Sequence, residues 1–235
     1  MQLFYNPQLD NSVSQFKFSP EESKHLIRVL RKKEGDTVSI TNGKGLIYEA
    51  HILKADVKGC MAQIKGSTKK HPKMYWFHLV VAPTKNMDRF EWFLEKATEI
   101  GIHEITPIIC ERSERKVVKR ERMERIITSA MKQSLQAYLP KINNPISLED
   151  FLSGEHKGLL FIAHCGEGEK VDLKRRVAPD KDITVMIGPE GDFAVSEIKK
   201  AYESGFLPIS LGKNRLRTET AALVACTIVN SINNG

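Results

Sequence analysis

The chain has 235 residues, of which 41% are hydrophobic and 28% are charged. This composition is ordinary for a soluble globular protein and excludes a fibre or a disordered chain, and the length allows one or two compact domains. Lys and Arg outnumber Asp and Glu by 36 to 29, a formal net charge of +7. The excess favours a polyanionic partner such as nucleic acid, although a basic enzyme without such a partner has the same composition.

The four cysteines are Cys60, Cys110, Cys165 and Cys226. They form no CxxC pair and have no histidines at metal-ligand spacing, so the sequence predicts neither a metal site nor a disulfide framework. No segment reaches the apolar length that a membrane span needs, and the first residues do not read as a leader peptide. We therefore expect a cytoplasmic protein without membrane contact.

The first seventy residues predict a small, mostly β domain. Ser19 is a predicted N-cap, Pro20 suits the first helical position and Glu22 suits the third, so a helix should run from here to about Leu30. The Asn-Gly-Lys-Gly segment 42–45 predicts a hairpin turn. Strands are predicted at Leu3–Tyr5, Gln15–Phe18, Thr37–Thr41, Leu46–Lys54 and Met61–Ile64.

A polar, proline-containing segment, 69–73, predicts a domain boundary. Beyond it, strands and helices alternate, which predicts a parallel sheet covered by helices on both faces. The predicted strands are Tyr75–Ala82, Ile105–Cys110, Gly158–His164, Ile183–Ile187 and Pro208–Leu211. The predicted helices are Met87–Ile100, Lys119–Tyr138, Val195–Ser204 and Thr218–Ile232.

Two strand-to-loop-to-helix passages stand out, because ligands of open α/β sheets bind at such strand ends. The first runs from the Ile183–Ile187 strand into Gly-Pro-Glu-Gly-Asp-Phe, where Gly188 and Gly191 should permit close backbone approach and positive φ. The second runs from Leu211 to Ala222, with Thr218 as a predicted helix cap. A plain tight turn is the alternative for the first passage, and neither passage is a Walker A or GxGxxG phosphate loop.

The two passages closely resemble the signature loops of the SPOUT class of RNA methyltransferases. In detail they resemble the RsmE-type 16S rRNA (uracil-N3)-methyltransferase family. The resemblance extends over nearly the whole chain. It includes the segments 25–31 and 85–91, the KATEIG segment 96–101, Arg112-Ser113, and the segment 129–134.

The resemblance implies an α/β fold with a small N-terminal PUA-like β-barrel domain, 1–70, and a C-terminal SPOUT domain, 73–235, which contains a trefoil knot and a parallel sheet. It implies a homodimer that binds S-adenosyl-L-methionine (SAM) and acts on 16S rRNA within the small ribosomal subunit. On the matching positions, the cofactor would be held by Ala163, His164, Ile187, Gly188, Pro189, Glu190, Gly191, Leu211, Gly212, Leu216, Arg217 and Ala221.

The implied reaction is SAM-dependent methylation of N3 of a specific uridine. Arg217 is the candidate that would stabilise the negative charge of the ionised uracil, and Glu219 or Glu190 would accept its proton. Alternatively, both glutamates only cap or salt-bridge their loops. The residues expected to bind RNA phosphates are Arg28, Arg31, Lys32, Lys33, Arg112, Arg115 and Lys116. For the second cluster, a solvated helix face is the alternative.

Two other functions remain open from the sequence. One is ribose 2′-O-methylation by the same fold, and the other is a non-catalytic role in ribosome assembly. The chain also departs from the family pattern: Asp192 stands where many relatives have a glycine, and Lys132 stands where many have glutamate. Near Lys132, Gln136-Ala137 replaces a Gly-Arg pair. The apolar helix from Thr218 fits either a buried core helix or a dimer interface.

Overall fold

The computed structural model describes residues 2–234, which divide into two compact units. The first unit contains the residues up to Pro72 together with Met131–Leu139, and the second contains Lys73–Ala130 together with the residues from Pro140 onward. None of the helices within the described residues is long and apolar enough to cross a bilayer.

The first unit is built on a five-stranded sheet in the order β1-β3-β4-β5-β2, in which β1 and β3 are parallel and the other pairs antiparallel. Its core is apolar and includes Phe4, Leu26, Ile40 and Tyr48, each at most 1% exposed. The strands are β1 Leu3–Tyr5, β2 Gln15–Lys17, β3 Thr37–Thr41, β4 Leu46–Lys54 and β5 Met61–Lys69.

The turn between β3 and β4 explains why a distant segment belongs to the first unit. Thr41 Oγ1 donates to the carbonyl of Ala137 at 3.0 Å, and the N–H of Gly45 donates to the same carbonyl at 2.9 Å. A Cβ at Gly45 would lie 2.3 Å from the hydroxyl of Tyr138, so any other residue here would displace the Tyr138 ring. The pattern of the sequence assigns 131–139 to the second domain, because these tertiary hydrogen bonds leave no local signal.

The helix predicted after Ser19 forms, but with a change of pitch. Ser19 Oγ accepts from the N–H of Glu22 at 3.2 Å, and α1, Pro20–Lys24, begins at the expected proline. The chain then continues as one π-helical turn over His25–Val29. Wider turns of this kind are rare within helices and are found mostly at functional sites.

The second unit is built on a parallel sheet in the order β11-β13-β10-β12-β6-β7-β8, with β9 beside β7. The central strand, β12, is buried at all five positions, which is the burial expected when helices cover both faces. The strands are β6 Phe77–Val81, β7 Glu104–Ile109, β8 Lys141–Ile142, β9 Ile146–Ser147, β10 Leu159–Ala163, β11 Val171–Asp172, β12 Ile183–Ile187 and β13 Leu207–Ser210.

Helices cover both faces of this sheet, as the alternating pattern predicts. Ile162, Met186 and Val80 lie side by side across three strands and pack in one cluster with Phe193 and Phe206. That cluster also takes in residues of α4 Leu148–Leu152 and α5 Val195–Glu203. The helix α6, Thr218–Asn234, packs on the strands β6 and β12. It also contacts α2, Met87–Ile100.

The remaining helix, α3, spans Arg120–Gln133 and is shorter than the predicted Lys119–Tyr138. It ends early because Leu135 has a left-handed φ of 57°, which no helix continues through.

The sequence does not predict the strands β8, β9 and β11 or the helix α4. Each of these strands has two residues, which is too few to display a period.

The strand pairing places three chain segments at one edge of the sheet. Ala163, the last residue of β10, pairs with Ile187, the last residue of β12, and also with Ile209 of β13. Because the strands are parallel, the loops that follow them leave the sheet at the same carboxyl edge.

Candidate functional site

A cavity of about 840 Å³ lies at this carboxyl edge, within the second unit. Its walls are the loops that follow β10, β12 and β13. The residues predicted to contact the cofactor all line it: Ala163, His164, Ile187, Gly188, Pro189, Glu190, Gly191, Leu211, Gly212, Leu216, Arg217 and Ala221. Their contact with a cofactor stays a prediction, but the fold brings every one of them to a single cavity.

The loop after β12 owes its shape to close contacts of its glycines. A Cβ at Gly188 would lie 2.9 Å from Cδ2 of Phe193, a ring that is only 2% exposed. A Cβ at Gly191 would lie 3.2 Å from Cβ of Arg112. Glycine permits positive φ at both positions, but the left-handed residue of the loop is Asp192, with φ of 63°. Its side chain accepts from the N–H of Phe193 at 2.9 Å, which stabilises that conformation.

The loop after β13 is joined to the loop after β12 by a buried hydrogen bond. Thr218 Oγ1 donates to the carbonyl of Gly188 at 3.0 Å. Thr218 is not the N-cap that the sequence predicts, since it is the first helical residue of α6. The carbonyl of Arg217 accepts the first helical bond, from Ala221 at 2.8 Å.

Arg217 and Glu219 occupy opposite sides of the start of α6. Arg217 is exposed and lines the cavity. Ala221, four residues further along the chain, also lines the cavity. Glu219 is 7% exposed and lies outside the cavity lining, and its Oε2 is buried with no hydrogen-bond partner within residues 2–234. Residues two apart on a helix do not share a face, so this separation follows from the helix itself. The structure therefore brings Arg217, but not Glu219, to the cavity.

Glu190 is the acidic alternative that the cavity does contain. Its Oε1 accepts from the backbone N–H of Lys85 at 2.9 Å, which fixes the side chain. Its Oε2 is buried and has no hydrogen-bond partner among the described residues. A buried carboxylate oxygen without a donor is costly, so this atom is suited to accept a hydrogen bond from a bound ligand.

The loop after β10 supplies a cavity residue, Lys170, that sequence reasoning did not single out as a cofactor contact, beside Cys165, which the family resemblance places at the cofactor site. Cys165 and Lys170 both line the cavity, and Lys170 Nζ donates to the carbonyl of Gly166 in the same loop. Beside them, His164 Nε2 forms a 2.8 Å hydrogen bond with the hydroxyl of Tyr202. Burial, and then the charge of Lys170, lower the pKa of His164, so the ring stays neutral at neutral pH. Lys170 could have been inferred from the sequence as a cavity residue, because it lies in a glycine-containing loop directly after a strand of the sheet.

The basic residues predicted to bind RNA fall in two places. In the first unit, Arg28, Arg31 and Lys33 are exposed, while Lys32 Nζ donates to the carbonyl of Thr37 at 3.2 Å. These residues lie on the π-helical turn and just after it. They stay candidates for phosphate contacts.

The second basic cluster is tied more closely to the cavity than the sequence indicates. Arg112 lines the cavity, and its Nη1 donates to the carbonyl of Gly191 at 3.1 Å. Arg115 Nη2 donates to the carbonyl of Lys85 at 3.0 Å, while Lys116 is exposed. Arg112 therefore supports the cavity loop at Gly191, whereas Arg115 holds the backbone of Lys85, whose N–H binds Glu190.

Lys132, which departs from the family pattern, has a structural role within the first unit. Its Nζ lies 2.5 Å from Oε1 of Glu22 and 5.8 Å from the ring centre of Phe4. The two charged side chains are about three-quarters buried, with exposures of 26% and 22%. A glutamate here would be repelled by Glu22, which explains why this chain carries lysine.

Among the described residues, no group of His, Cys, Asp or Glu side chains has the arrangement of a metal site.

Comparison with known proteins agrees with this description. Residues 71–230 match the family described as RNA methyltransferase domain, and residues 18–70 match the family described as RNA methyltransferase PUA domain. A ribosomal RNA small subunit methyltransferase E from Buchnera aphidicola is 31% identical, over 95% of this chain and 90% of its own length.

Solved structures extend the likeness to the fold. A probable rRNA-methyltransferase from Porphyromonas gingivalis has a TM-score of 0.92 and 39% identity, covering 99% of this chain and 98% of its own. A ribosomal RNA small subunit methyltransferase E from Neisseria gonorrhoeae, solved with S-adenosyl methionine bound, has a TM-score of 0.86 and 26% identity, covering 99% and 98%. The chain belongs to the family of ribosomal RNA small subunit methyltransferases E, within the RNA methyltransferases.

Proposed function

We propose that this protein transfers a methyl group from SAM to N3 of a uridine in 16S rRNA. The observation that carries the proposal is the single cavity that gathers all the predicted cofactor residues, in a member of a family of small-subunit rRNA methyltransferases. The volume, about 840 Å³, lies in the range of cavities that hold small molecules of this size.

The residues of the cavity fit SAM. Glu190 Oε2, buried and without a donor, would accept a hydrogen bond from the amine or a ribose hydroxyl of the cofactor. Gly188 and Gly191 line the cavity with their backbone, and a Cβ at either position would press on Phe193 or Arg112 and disturb that lining. SAM supplies, when bound, a methyl group activated by an adjacent positive sulfur.

The chain's own residues would prepare the uracil. N3 of uracil carries a proton, and after its loss negative charge spreads to the flanking carbonyl oxygens. Arg217, exposed at the cavity, would place its guanidinium against that charge. Lys213 and Arg215 line the same cavity and add to its positive field. Methyl transfer further requires the nucleophile to be held in line, about 3 to 3.5 Å from the methyl carbon.

For the proton acceptor, the geometry favours Glu190 over Glu219. Glu190 lies in the cavity with one oxygen free of hydrogen bonds, whereas Glu219 is buried outside its lining. A glutamate held by a backbone N–H at one oxygen keeps the other oriented, as a general base requires. Glu219 as the base remains a prediction from the sequence alone.

N3 lies on the pairing edge of uracil, so the uridine must be unpaired or turned out of its helix to react. Holding the RNA in that state calls for phosphate contacts outside the cavity. The exposed Arg28, Arg31 and Lys33 of the first unit and Lys116 of the second are the proposed contacts. They would make binding weaken steeply with salt.

The family resemblance adds three proposals about the molecule as a whole: a trefoil knot in the second unit, a homodimer, and action in the cytoplasm where the ribosomal subunit is found. The strand order supports the proposed knot. β13 follows β12 in the chain but lies on the far side of β10, so the chain crosses β10 between them. For the dimer, Leu223, Val224 and Ile228 of α6 remain partly exposed in a single chain. A second copy would bury them.

The proposal is tested with small ribosomal subunits isolated from cells that lack the gene, incubated with the purified protein and radiolabelled SAM. We expect label in 16S rRNA and a new primer-extension stop at one uridine, because an N3 methyl blocks pairing. Label without a stop indicates ribose 2′-O-methylation and contradicts the N3 assignment. Calorimetric SAM binding without any label indicates a non-catalytic protein. Sedimentation of the same preparation reports whether it is a dimer of 26.6 kDa chains.

A further inference from the structure

The carboxylate of Asp192 connects two walls of the cavity. Its Oδ2 accepts from the backbone N–H of Cys165 at 2.8 Å, and its Oδ1 accepts from the N–H of Phe193 at 2.9 Å. Cys165 belongs to the loop after β10, and Asp192 to the loop after β12. Both residues line the cavity. One side chain thus fixes the distance between the two loops where they line the cavity.

The backbone of Asp192 is held in an unfavourable conformation to make this contact. Its φ is 63°, in the left-handed region that most residues avoid. The N–H of Asp192 donates to the carbonyl of Pro189 at 2.9 Å and closes the turn. Strained residues of this kind persist where the surroundings fix them, and they cluster at ligand sites.

Within residues 2–234, the loop that Asp192 holds makes few other hydrogen bonds to the rest of the second unit. His164 is bonded to Tyr202, whereas the amine of Lys170 turns back to Gly166 within the loop. Residues 167–169 are exposed. The Asp192–Cys165 bond therefore joins this loop to the loop after β12, and a carboxylate acceptor makes it a hydrogen bond of the stronger kind.

We propose that Asp192 is a positioning residue that holds the loop 164–170 against the cavity and thereby sets how fast bound SAM leaves. The identity of the ligand rests on the proposed function, whereas the link between the loops rests on the hydrogen bonds alone. Loss of the carboxylate should let the loop open more often, with little change in the rate at which the ligand enters.

The test compares Asp192→Gly and Asp192→Asn with the wild type. Glycine adopts the left-handed φ freely and removes both hydrogen bonds, while asparagine tolerates that φ and keeps one acceptor oxygen. The matched control is Asp180→Gly, because Asp180 also has a left-handed φ, 56°, but lies outside the cavity lining. The readouts are hydrogen–deuterium exchange of the peptide 164–170, the dissociation rate of SAM, and Tm.

We expect Asp192→Gly to raise both amide exchange at 164–170 and SAM dissociation about tenfold, which corresponds to about 1.4 kcal/mol. Asp192→Asn should lie between it and the wild type, and Asp180→Gly should match the wild type. The proposal is overturned if Asp192→Gly leaves both rates unchanged. It is also overturned if exchange rises across the whole second unit together with a fall in Tm, since that shows a general structural role. If the wild type binds no SAM, the proposed function fails, and the exchange experiment alone decides whether Asp192 holds the loop.

Discussion

Replacing Arg217 by alanine should lower the rate of methyl transfer by a factor of about 10²–10³, the usual effect of removing one group that stabilises developing charge. The side chain is exposed at the rim of the cavity, so its loss should leave the fold and Tm unchanged. SAM affinity should change much less than the rate, because the proposed role of the guanidinium is toward the uracil. Single-turnover methylation of small subunits, with SAM saturating, measures this rate.

Two further variants sharpen this experiment. Arg217→Lys keeps the charge but loses the planar fork of donors, and should recover only part of the activity. Arg176→Ala removes an exposed arginine of the same unit that lies outside the cavity lining, and should behave as the wild type. Full activity of Arg217→Ala would remove this residue from the mechanism.

Replacing Gly188 by alanine should impair both the cavity and the fold. The new Cβ would lie 2.9 Å from Cδ2 of Phe193 and 3.3 Å from its backbone nitrogen. The Phe193 ring cannot simply move, because it packs in the core with Ile162 and Phe206. Overpacking of this kind costs about 1–3 kcal/mol. We expect Tm to fall by about 2–4 °C for each kcal/mol, and SAM affinity to fall at least about tenfold.

The control for Gly188→Ala is Gly66→Ala, since a Cβ at Gly66 meets nothing within 4 Å and its φ is not left-handed. Its Tm and SAM affinity should equal those of the wild type. Combining Gly188→Ala with Phe193→Leu should regain part of the lost affinity, because the smaller side chain makes room for the methyl group. Wild-type Tm and affinity in Gly188→Ala would show that the loop does not depend on this close contact.

The sequence predicts the regular elements of both units well where their patterns are long. β3, β4, β12 and α2 begin and end at the predicted residues, because alternation, an unbroken apolar run or a helical period marks each of them. β5 is one exception, because it extends to Lys69 instead of ending at the predicted Ile64. α3 is another, because it is shorter than predicted. Its end depends on the left-handed Leu135, and the segment after it packs on the turn at Thr41–Gly45, which no local pattern reports.

The site was predictable to the extent that it depends on strand ends. Ala163, Ile187 and Ile209 meet because parallel strands place their carboxyl ends together, and the glycines mark where the loops begin. What the sequence could not supply is the link between the loops. The hydrogen bond from Cys165 to Asp192 joins residues 27 apart, and it exists only because β10 and β12 are paired.

The difference between Arg217 and Glu219 could have been inferred from the sequence. Once α6 begins at Thr218, the two residues lie on different sides of its first turn, and Ala221 rather than Glu219 shares the side of Arg217. Proximity in the sequence suggested a common role, whereas helical geometry separates them. Glu190 is far from Arg217 in the sequence, yet it lines the same cavity.

The proposed reaction of this protein is methylation of N3 of a uridine in 16S rRNA. Its most direct test is mass spectrometry of nucleosides from purified small-subunit rRNA, in cells that have the gene, lack it, or carry the Arg217→Ala variant. We expect 3-methyluridine in the first, its absence from the second and a reduced amount in the third. An unchanged amount of 3-methyluridine in cells lacking the gene, or the loss of a ribose-methylated nucleoside instead, would contradict it.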